Sequence, residues 1–170
     1  HLGVDASENV VNVSKSKGVD AICGFFNKDL CKSIIKKKGK AKIIISTNTM
    51  HHIEKCHEVL EGIDILLKDD GIVILEDPYL PDMLELGSFE QIYAEHNFIW
   101  CCKSYKTLFE KYSLYLNKVE HYSIHGGSMR YFFSRENIQE QSAKKYLELE
   151  EKIQVSNDTT YQKFRDKSIN

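Results

Sequence analysis

Long apolar runs are missing from this chain of 170 residues. The longest, Ile43-Ile44-Ile45 and Gly71-Ile72-Val73-Ile74-Leu75, fall far short of the roughly 20 residues that a membrane-spanning helix requires, so no membrane partner is expected. The start, His1-Leu2-Gly3-Val4-Asp5, has neither a basic stretch ahead of an apolar one nor a methionine. It resembles neither a signal peptide nor a native start, and the chain is expected to be a fragment. An excess of charge of one sign is also missing. With 23 Lys and Arg against 25 Asp and Glu, the net charge is -2, and nucleic acid is not expected as a partner because phosphate neutralisation needs a basic face. The one dense basic run, Lys36-Lys37-Lys38-Gly39-Lys40, lies where a helix would end and its lysines complement the helix dipole. No CxxC motif occurs. The five cysteines are odd in number, and Cys101-Cys102 is a poor disulfide geometry, which predicts reduced, packed thiols in a cytoplasmic protein. With two prolines, nine glycines, 42% hydrophobic and 28% charged residues, collagen-like, low-complexity and long disordered readings are excluded.

What remains is alternation. Residues 2–4 form a short apolar run ending in Asp5, and Val10, Val11 and Val13 then suit a helix closed by Gly18. Residues 19–23 predict a second strand, and Leu30, Ile34 and Ile35 give a helix over about 29–38. Residues 41–46 predict a third strand, apolar enough to be buried on both faces. The spacing of Val59, Leu60, Ile63, Leu66 and Leu67 predicts a helix ending at Asp69-Asp70-Gly71, with glycine as a left-handed cap, before a fourth strand over 72–75. Such alternation implies an α/β fold with an open, doubly wound, mostly parallel sheet. Residues 76–102 hold both prolines and no sustained period, the kind of segment that carries a site or lid. A helix over 104–112 follows, with Tyr105, Leu108 and Phe109 inward. An antiparallel hairpin then folds around His125-Gly126-Gly127, for which a tight turn is the main reading. From Glu136 onward, Leu147, Leu149, Ile153, Tyr161 and Phe164 lie in charged, helix-prone sequence.

In a doubly wound sheet, ligands bind beyond the carboxyl ends of the strands. The residues in those positions are Asp5, then Phe25-Phe26-Asn27, then Thr47-Asn48-Thr49-Met50-His51-His52, then Glu76-Asp77-Pro78-Tyr79. Asp5 has two readings, an acceptor for ribose hydroxyls or a cap for the helix that follows. Phe25 and Phe26 likewise suit an adenine wall or ordinary core, and Ser128 and Arg130 face either substrate or an adjoining domain.

The segments Gly3-Val4-Asp5-Ala6-Ser7, Gly24-Phe25-Phe26-Asn27, Thr47-Asn48-Thr49-Met50-His51-His52-Ile53, Leu66-Leu67-Lys68-Asp69-Asp70-Gly71, Pro78-Tyr79, Tyr93-Ala94-Glu95-His96 and His125-Gly126-Gly127-Ser128-Met129-Arg130 follow one another in this order. In this the chain resembles the sugar C-methyltransferases, whose class I methyltransferase domain follows a zinc-binding N-terminal domain and precedes a C-terminal one. It departs from that pattern at Ala94, at Ile99-Trp100-Cys101 and at Asp77, which stands where an apolar residue is commoner.

The resemblance implies a chain that starts just after the glycine-rich cofactor loop. Residues 1–135 would form a partial Rossmann-like domain and residues 136–170 the helical start of the C-terminal domain. Zinc would belong only to the absent N-terminal domain. The implied activity is methyl transfer from S-adenosylmethionine to the carbon next to the ketone of a dTDP-4-keto deoxysugar, the nucleotide-sugar substrate. Asp5, Phe25, Phe26, Thr47 and Asn48 are the expected cofactor-binding residues. A carbon acid must lose a proton before it attacks the methyl group, which calls for a base and an enolate stabiliser. His96 matches the base, Glu95 and Tyr93 its companions, and His52 a further site histidine. His51 and His121 are expected to be surface or packing residues. A non-catalytic fragment and an O- or N-methyltransferase are the rival expectations.

Overall fold

In the computed structural model, which describes residues 1–169, the first apolar run forms β1 (Gly3–Asp5), parallel to β2 (Ala21–Cys23). Helix α1 (Glu8–Ser16) connects them and buries Val11, and Gly18 takes φ +81° just past its end, as a residue without a Cβ can. Asn27 caps α2 (Lys28–Lys38) by accepting the Leu30 N–H at 3.0 Å, and Lys36, Lys37 and Lys38 occupy its last turn. Helix α3 (Cys56–Leu66) packs against α2. The close approach needs Gly62, because a Cβ there would lie 3.0 Å from both Cys31 Sγ and Phe26 Cε1. These elements make one compact unit, residues 1–41 with 55–68.

The second unit, residues 42–54 with 69–170, is built on a sheet of order β3-β4-β6-β5. Its strands are β3 (Ala41–Thr47), β4 (Leu67–Pro78), β5 (Tyr115–Tyr122) and β6 (Ser128–Ser134). The expected hairpin is present, with Tyr122 opposite Ser128, and β6 also pairs antiparallel with β4 from Ile72↔Ser134 to Pro78↔Ser128. Alternate residues of β6 point inward: Met129, Tyr131 and Phe133 are buried, with Arg130 and Phe132 between them. Helix α5 (Cys102–Glu110) covers them. Phe109 stacks on Phe133 at 3.9 Å between centroids, and Tyr105 meets Tyr131 at 4.7 Å. Each such aromatic pair adds about 0.5–1.5 kcal/mol to its burial.

Helices α6 (Gln141–Lys152) and α7 (Asp158–Ile169) close the described chain. Leu149 stays exposed and α6 buries Ala143 and Glu150 instead. Glu150 accepts from Tyr79 Oη (2.8 Å), Cys102 N (2.6 Å) and Lys103 N (2.8 Å), so its carboxylate satisfies the first amides of α5 where the helix dipole favours negative charge. Helix α4 (Leu80–Leu86) follows Tyr79 in the chain, and the irregular segment up to Trp100 follows it.

Two local expectations are corrected. Gly71 is not a helix cap: α3 stops at Leu66 and β4 begins at Leu67, so Gly71 is a buried strand residue. The strand over 41–46 is not buried on both faces. Ile43 and Ile45, which share a face, are 54% and 65% exposed, because no apolar side chain of the described residues covers that face. Arg130, of intermediate exposure, is engaged within the sheet. It grips the buried Glu76 directly across the β4–β6 ladder through Nε (2.8 Å) and Nη2 (2.7 Å). Among the described residues no helix is long and apolar enough to cross a membrane. The cysteines are all free. Burial pushes the Cys31 thiol up to about 11 and the Cys102 thiol well above its usual range, the latter aided by the Glu150 carboxylate, so both stay protonated packing groups.

Candidate functional site

The third apolar strand is followed by a sharp change of direction. Asn48 adopts φ +50°, a conformation asparagine tolerates, and its N–H donates to the Glu76 carbonyl at 2.7 Å. A single 3-10 turn, Met50–His52, comes next and places two adjacent imidazoles side by side, with centroids 4.0 Å apart. The irregular segment after α4 is stitched onto this turn. Asn97 N and Phe98 N donate to the His51 carbonyl at 2.8 and 3.2 Å, and Asn97 Nδ2 donates to the His52 carbonyl at 2.6 Å. The stitching brings His96 to 4.4 Å from His51 and 4.9 Å from His52, and the Tyr93 ring to 4.0 Å from His96, all between centroids.

Each of the three histidines has its Nδ1 committed. His96 Nδ1–H donates to the Gln91 carbonyl (2.7 Å), His52 Nδ1–H to the Glu95 carbonyl (2.8 Å) and His51 Nδ1–H to Asp77 Oδ1 (2.5 Å). Asp77 is 1% exposed, and its other oxygen accepts from Tyr105 Oη at 2.6 Å. In the neutral ring such a bond fixes the tautomer and leaves Nε2 with a free lone pair. Burial is the main influence holding His96 below the usual histidine range, and His51 and His52 add to it, while the Gln91 carbonyl works against them. An unprotonated imidazole near neutral pH is the form that takes up a proton.

The expected site residues therefore fall as follows. His52, Tyr93, Glu95 and His96 come together in the second unit. Glu95 does so through its backbone carbonyl, which holds His52, and the Gln91 carbonyl is what orients His96. Thr47 and Asn48 lie at the exposed end of β3 in the same unit, where the Thr47 carbonyl accepts from Thr49 Oγ1 at 2.9 Å. Asp5, Phe25 and Phe26 belong to the first unit. Asp5 is exposed at the tip of β1, with Oδ1 accepting the Ser7 N–H at 2.7 Å, and Ser7 is the residue at the cap position of α1. The two phenylalanines separate: Phe26 packs at Gly62, whereas Phe25 is 79% exposed beyond β2.

His51 and Asp77 are the residues that sequence reasoning missed as members of the cluster. His51 is 3% exposed, so packing was a correct expectation as far as it went, but its partner lies 26 residues away. The signal available was the polar Asp77 standing before Pro78 at a position where an apolar residue is commoner. His121, by contrast, is exposed and donates through Nε2 to Asp82 at 2.7 Å, away from the three clustered rings.

With that geometry in place, likeness to known proteins can be set beside it. A family model described as a methyltransferase domain matches residues 2–119. The C-methyltransferase NovU of Streptomyces niveus is 34% identical over 131 residues, which is 77% of this chain and 31% of that protein. The chain thus spans about a third of the length of that relative. Among solved structures, a SAM-dependent methyltransferase from Anabaena variabilis superposes with a TM-score of 0.62 at 15% identity, covering 79% of this chain and 68% of that one. A magnesium protoporphyrin IX methyltransferase from Synechocystis with bound SAH gives 0.59 at 12% identity, over 79% and 64%. Likeness at such low identity speaks for a shared Rossmann-like fold.

Proposed function

Because the chain belongs to the methyltransferase domain family, we propose that it is part of an S-adenosylmethionine-dependent C-methyltransferase that acts on the carbon next to the ketone of a nucleotide-activated keto-deoxysugar. The observation that carries this reading is the state of His96: its Nδ1 proton is held by the Gln91 carbonyl, and its Nε2 is left as the free base beside the Tyr93 ring. An O- or N-methyltransferase would have no need to abstract a proton from carbon.

The first unit supports the cofactor. Asp5 Oδ1 is engaged with Ser7, which leaves Oδ2 for a ribose hydroxyl, and the exposed Phe25 ring offers a flat apolar face of the kind an adenine stacks on. Thr47 and Asn48 are polar groups beyond a strand tip of the second unit. When bound, S-adenosylmethionine supplies an electrophilic methyl group on a positively charged sulfur.

The rest is the work of this chain's own residues. His96 Nε2 takes the proton from the sugar carbon, and the Gln91 carbonyl, already bonded to Nδ1–H, steadies the imidazolium that forms. The Tyr93 hydroxyl, which has no partner among the described residues, donates to the oxyanion of the enolate. His52 is held by the Glu95 carbonyl against His51, next to the base.

The test uses a full-length protein carrying this sequence, with S-adenosylmethionine and a dTDP-4-keto-deoxysugar. Substitution of His96 by alanine should lower methyl transfer by at least about 100-fold, the usual worth of a positioned base, while calorimetric binding of S-adenosylmethionine is retained. In deuterium oxide without the methyl donor, the wild type should exchange the proton on the reacting carbon and His96→Ala should not. Exchange unaffected by the substitution would sink the base assignment, and methyl found on oxygen or nitrogen would favour the rival class.

The pH profile offers a second check. A histidine whose pKa is lowered stays unprotonated further down the pH scale, so the acidic limb of kcat/KM should fall below the usual histidine value of about 6.5. A limb at or above that value would contradict it.

A further inference from the structure

The three imidazoles do more than surround a base. One ring nitrogen from each of His51, His52 and His96 lies within 4.8 Å of the other two. All three Nδ1 atoms are bonded to oxygen acceptors, so the nitrogen each ring has left to offer is Nε2. Three imidazoles gathered this closely, each with its Nδ1 already engaged, is an arrangement that ordinary packing does not require.

We propose that His51, His52 and His96 form a binding site for a divalent transition-metal ion, Zn²⁺ being the best fit, through their Nε2 atoms. Three features argue for it. The ligand count is that of an open zinc site, with three imidazoles and a fourth position left for water or a substrate oxygen. The outer partners are those that metal-bound histidines use: a buried carboxylate on His51 and backbone carbonyls on His52 and His96, each fixing the tautomer that frees Nε2. The Asp77 carboxylate is itself held by Tyr105 at 2.6 Å, so the second shell is anchored in the core of the unit. Zinc–nitrogen bonds of about 2.0–2.1 Å place tetrahedral ligands roughly 3.3 Å apart, which asks the rings to close by up to about 1.5 Å. His51 and His52 share one 3-10 turn, and His96 lies in the irregular segment tied to that turn through Asn97, so the closure falls on that segment.

The inference goes beyond the proposed methyl transfer, and its consequence for turnover rests on that reading. His96 Nε2 cannot hold a metal ion and take up a proton at once, so an occupied site is a switched-off base. The ion would act as an inhibitor that must leave before carbon chemistry begins.

The experiment titrates tag-free, chelator-treated protein with Co²⁺, whose visible bands report tetrahedral nitrogen coordination, with neither methyl donor nor sugar present. One equivalent should bind with an intense visible spectrum, and Zn²⁺ should displace it. His52→Ala, an exposed position that should not disturb folding, should abolish the spectrum, as should His96→Ala, while His121→Ala leaves it unchanged. Asp77→Asn should weaken binding by about 10–100-fold, the usual worth of an outer-shell partner. Absence of the bands, or bands that survive His52→Ala, would overturn the proposal whatever the methyl-transfer assay shows. If the site forms but Zn²⁺ leaves methyl transfer untouched, the metal site stands and the assignment of His96 as base falls.

Discussion

Alanine in place of Gly127 should cost the second unit about 4 kcal/mol, through backbone strain of about 1–3 kcal/mol and overpacking of a similar size. Gly127 lies at φ +111° and ψ 119°, a region that residues with a Cβ rarely adopt. A Cβ built there would overlap Asp82, at 2.0 Å from Oδ2 and 2.5 Å from both Cβ and Cγ. Asp82 has little room to yield, because Oδ2 already accepts from His121 Nε2 and its own N–H is bonded to the Tyr79 carbonyl. For a chain of this size such a loss corresponds to a fall in Tm of about 10 °C or more, measurable by calorimetry or circular dichroism. Two controls separate the causes. Gly126→Ala, at φ +76°, meets only the amide end of the Gln91 side chain at 3.1 Å and should cost about 1 kcal/mol. Adding Asp82→Ala to Gly127→Ala removes the carboxyl overlaps but keeps the Asp82 Cβ at 2.5 Å and the backbone strain, and should recover only a minor part of the loss. Equal melting temperatures for Gly126→Ala and Gly127→Ala would refute the steric account.

This turn also shows how far a sequence can be read. His125-Gly126-Gly127 between two alternating runs announces a hairpin through local rules, since paired glycines and period-2 burial are properties of neighbouring residues. The same holds for α2 and α5, whose apolar spacing is a matter of one turn to the next. What sequence leaves hidden depends on distant partners. Ile43-Ile44-Ile45 looks buried on both faces, yet whether anything covers a strand face is decided by elements distant in sequence, and Ile43 and Ile45 are exposed. His51 carries no local mark, because its role is defined by Asp77 across 26 residues and by an irregular segment that no periodicity describes. The candidate site was legible in parts. Tyr93, His96 and His52 were visible through resemblance, but the backbone carbonyls of Gln91 and Glu95 that set their tautomers belong to the conformation and not to any side chain.

Glu150 is the extreme case, and its removal should be the other large effect. In the run Glu148-Leu149-Glu150-Glu151 the leucine looks like the buried residue, yet it is 38% exposed and Glu150 is fully buried. The register of α6 is set by the charge, since α5 begins with free amides inside the unit and only an acceptor can satisfy them there. Glu150→Ala leaves the Tyr79 hydroxyl and the Cys102 amide as buried donors without a partner and the Lys103 amide partly so, which should cost about 3–5 kcal/mol. Glu150→Gln keeps the shape and one strong acceptor oxygen but turns an NH₂ toward a donor, and should cost about 2 kcal/mol. Denaturant titration of the two variants checks the order, with alanine the weaker protein. A leucine at this position, which would add burial if α6 were docked by its apolar residues alone, should be no better than alanine. Stability equal to wild type in Glu150→Leu would mean that α6 is held by apolar contact after all. The effect should reach the histidines as well. Helix α5, whose amides Glu150 satisfies, carries Tyr105, Tyr105 holds Asp77, and Asp77 holds His51, so loosening the start of α5 frees the first imidazole of the cluster. Glu150→Ala should therefore weaken Co²⁺ binding under conditions where the variant is still folded, although the carboxylate touches none of the three rings.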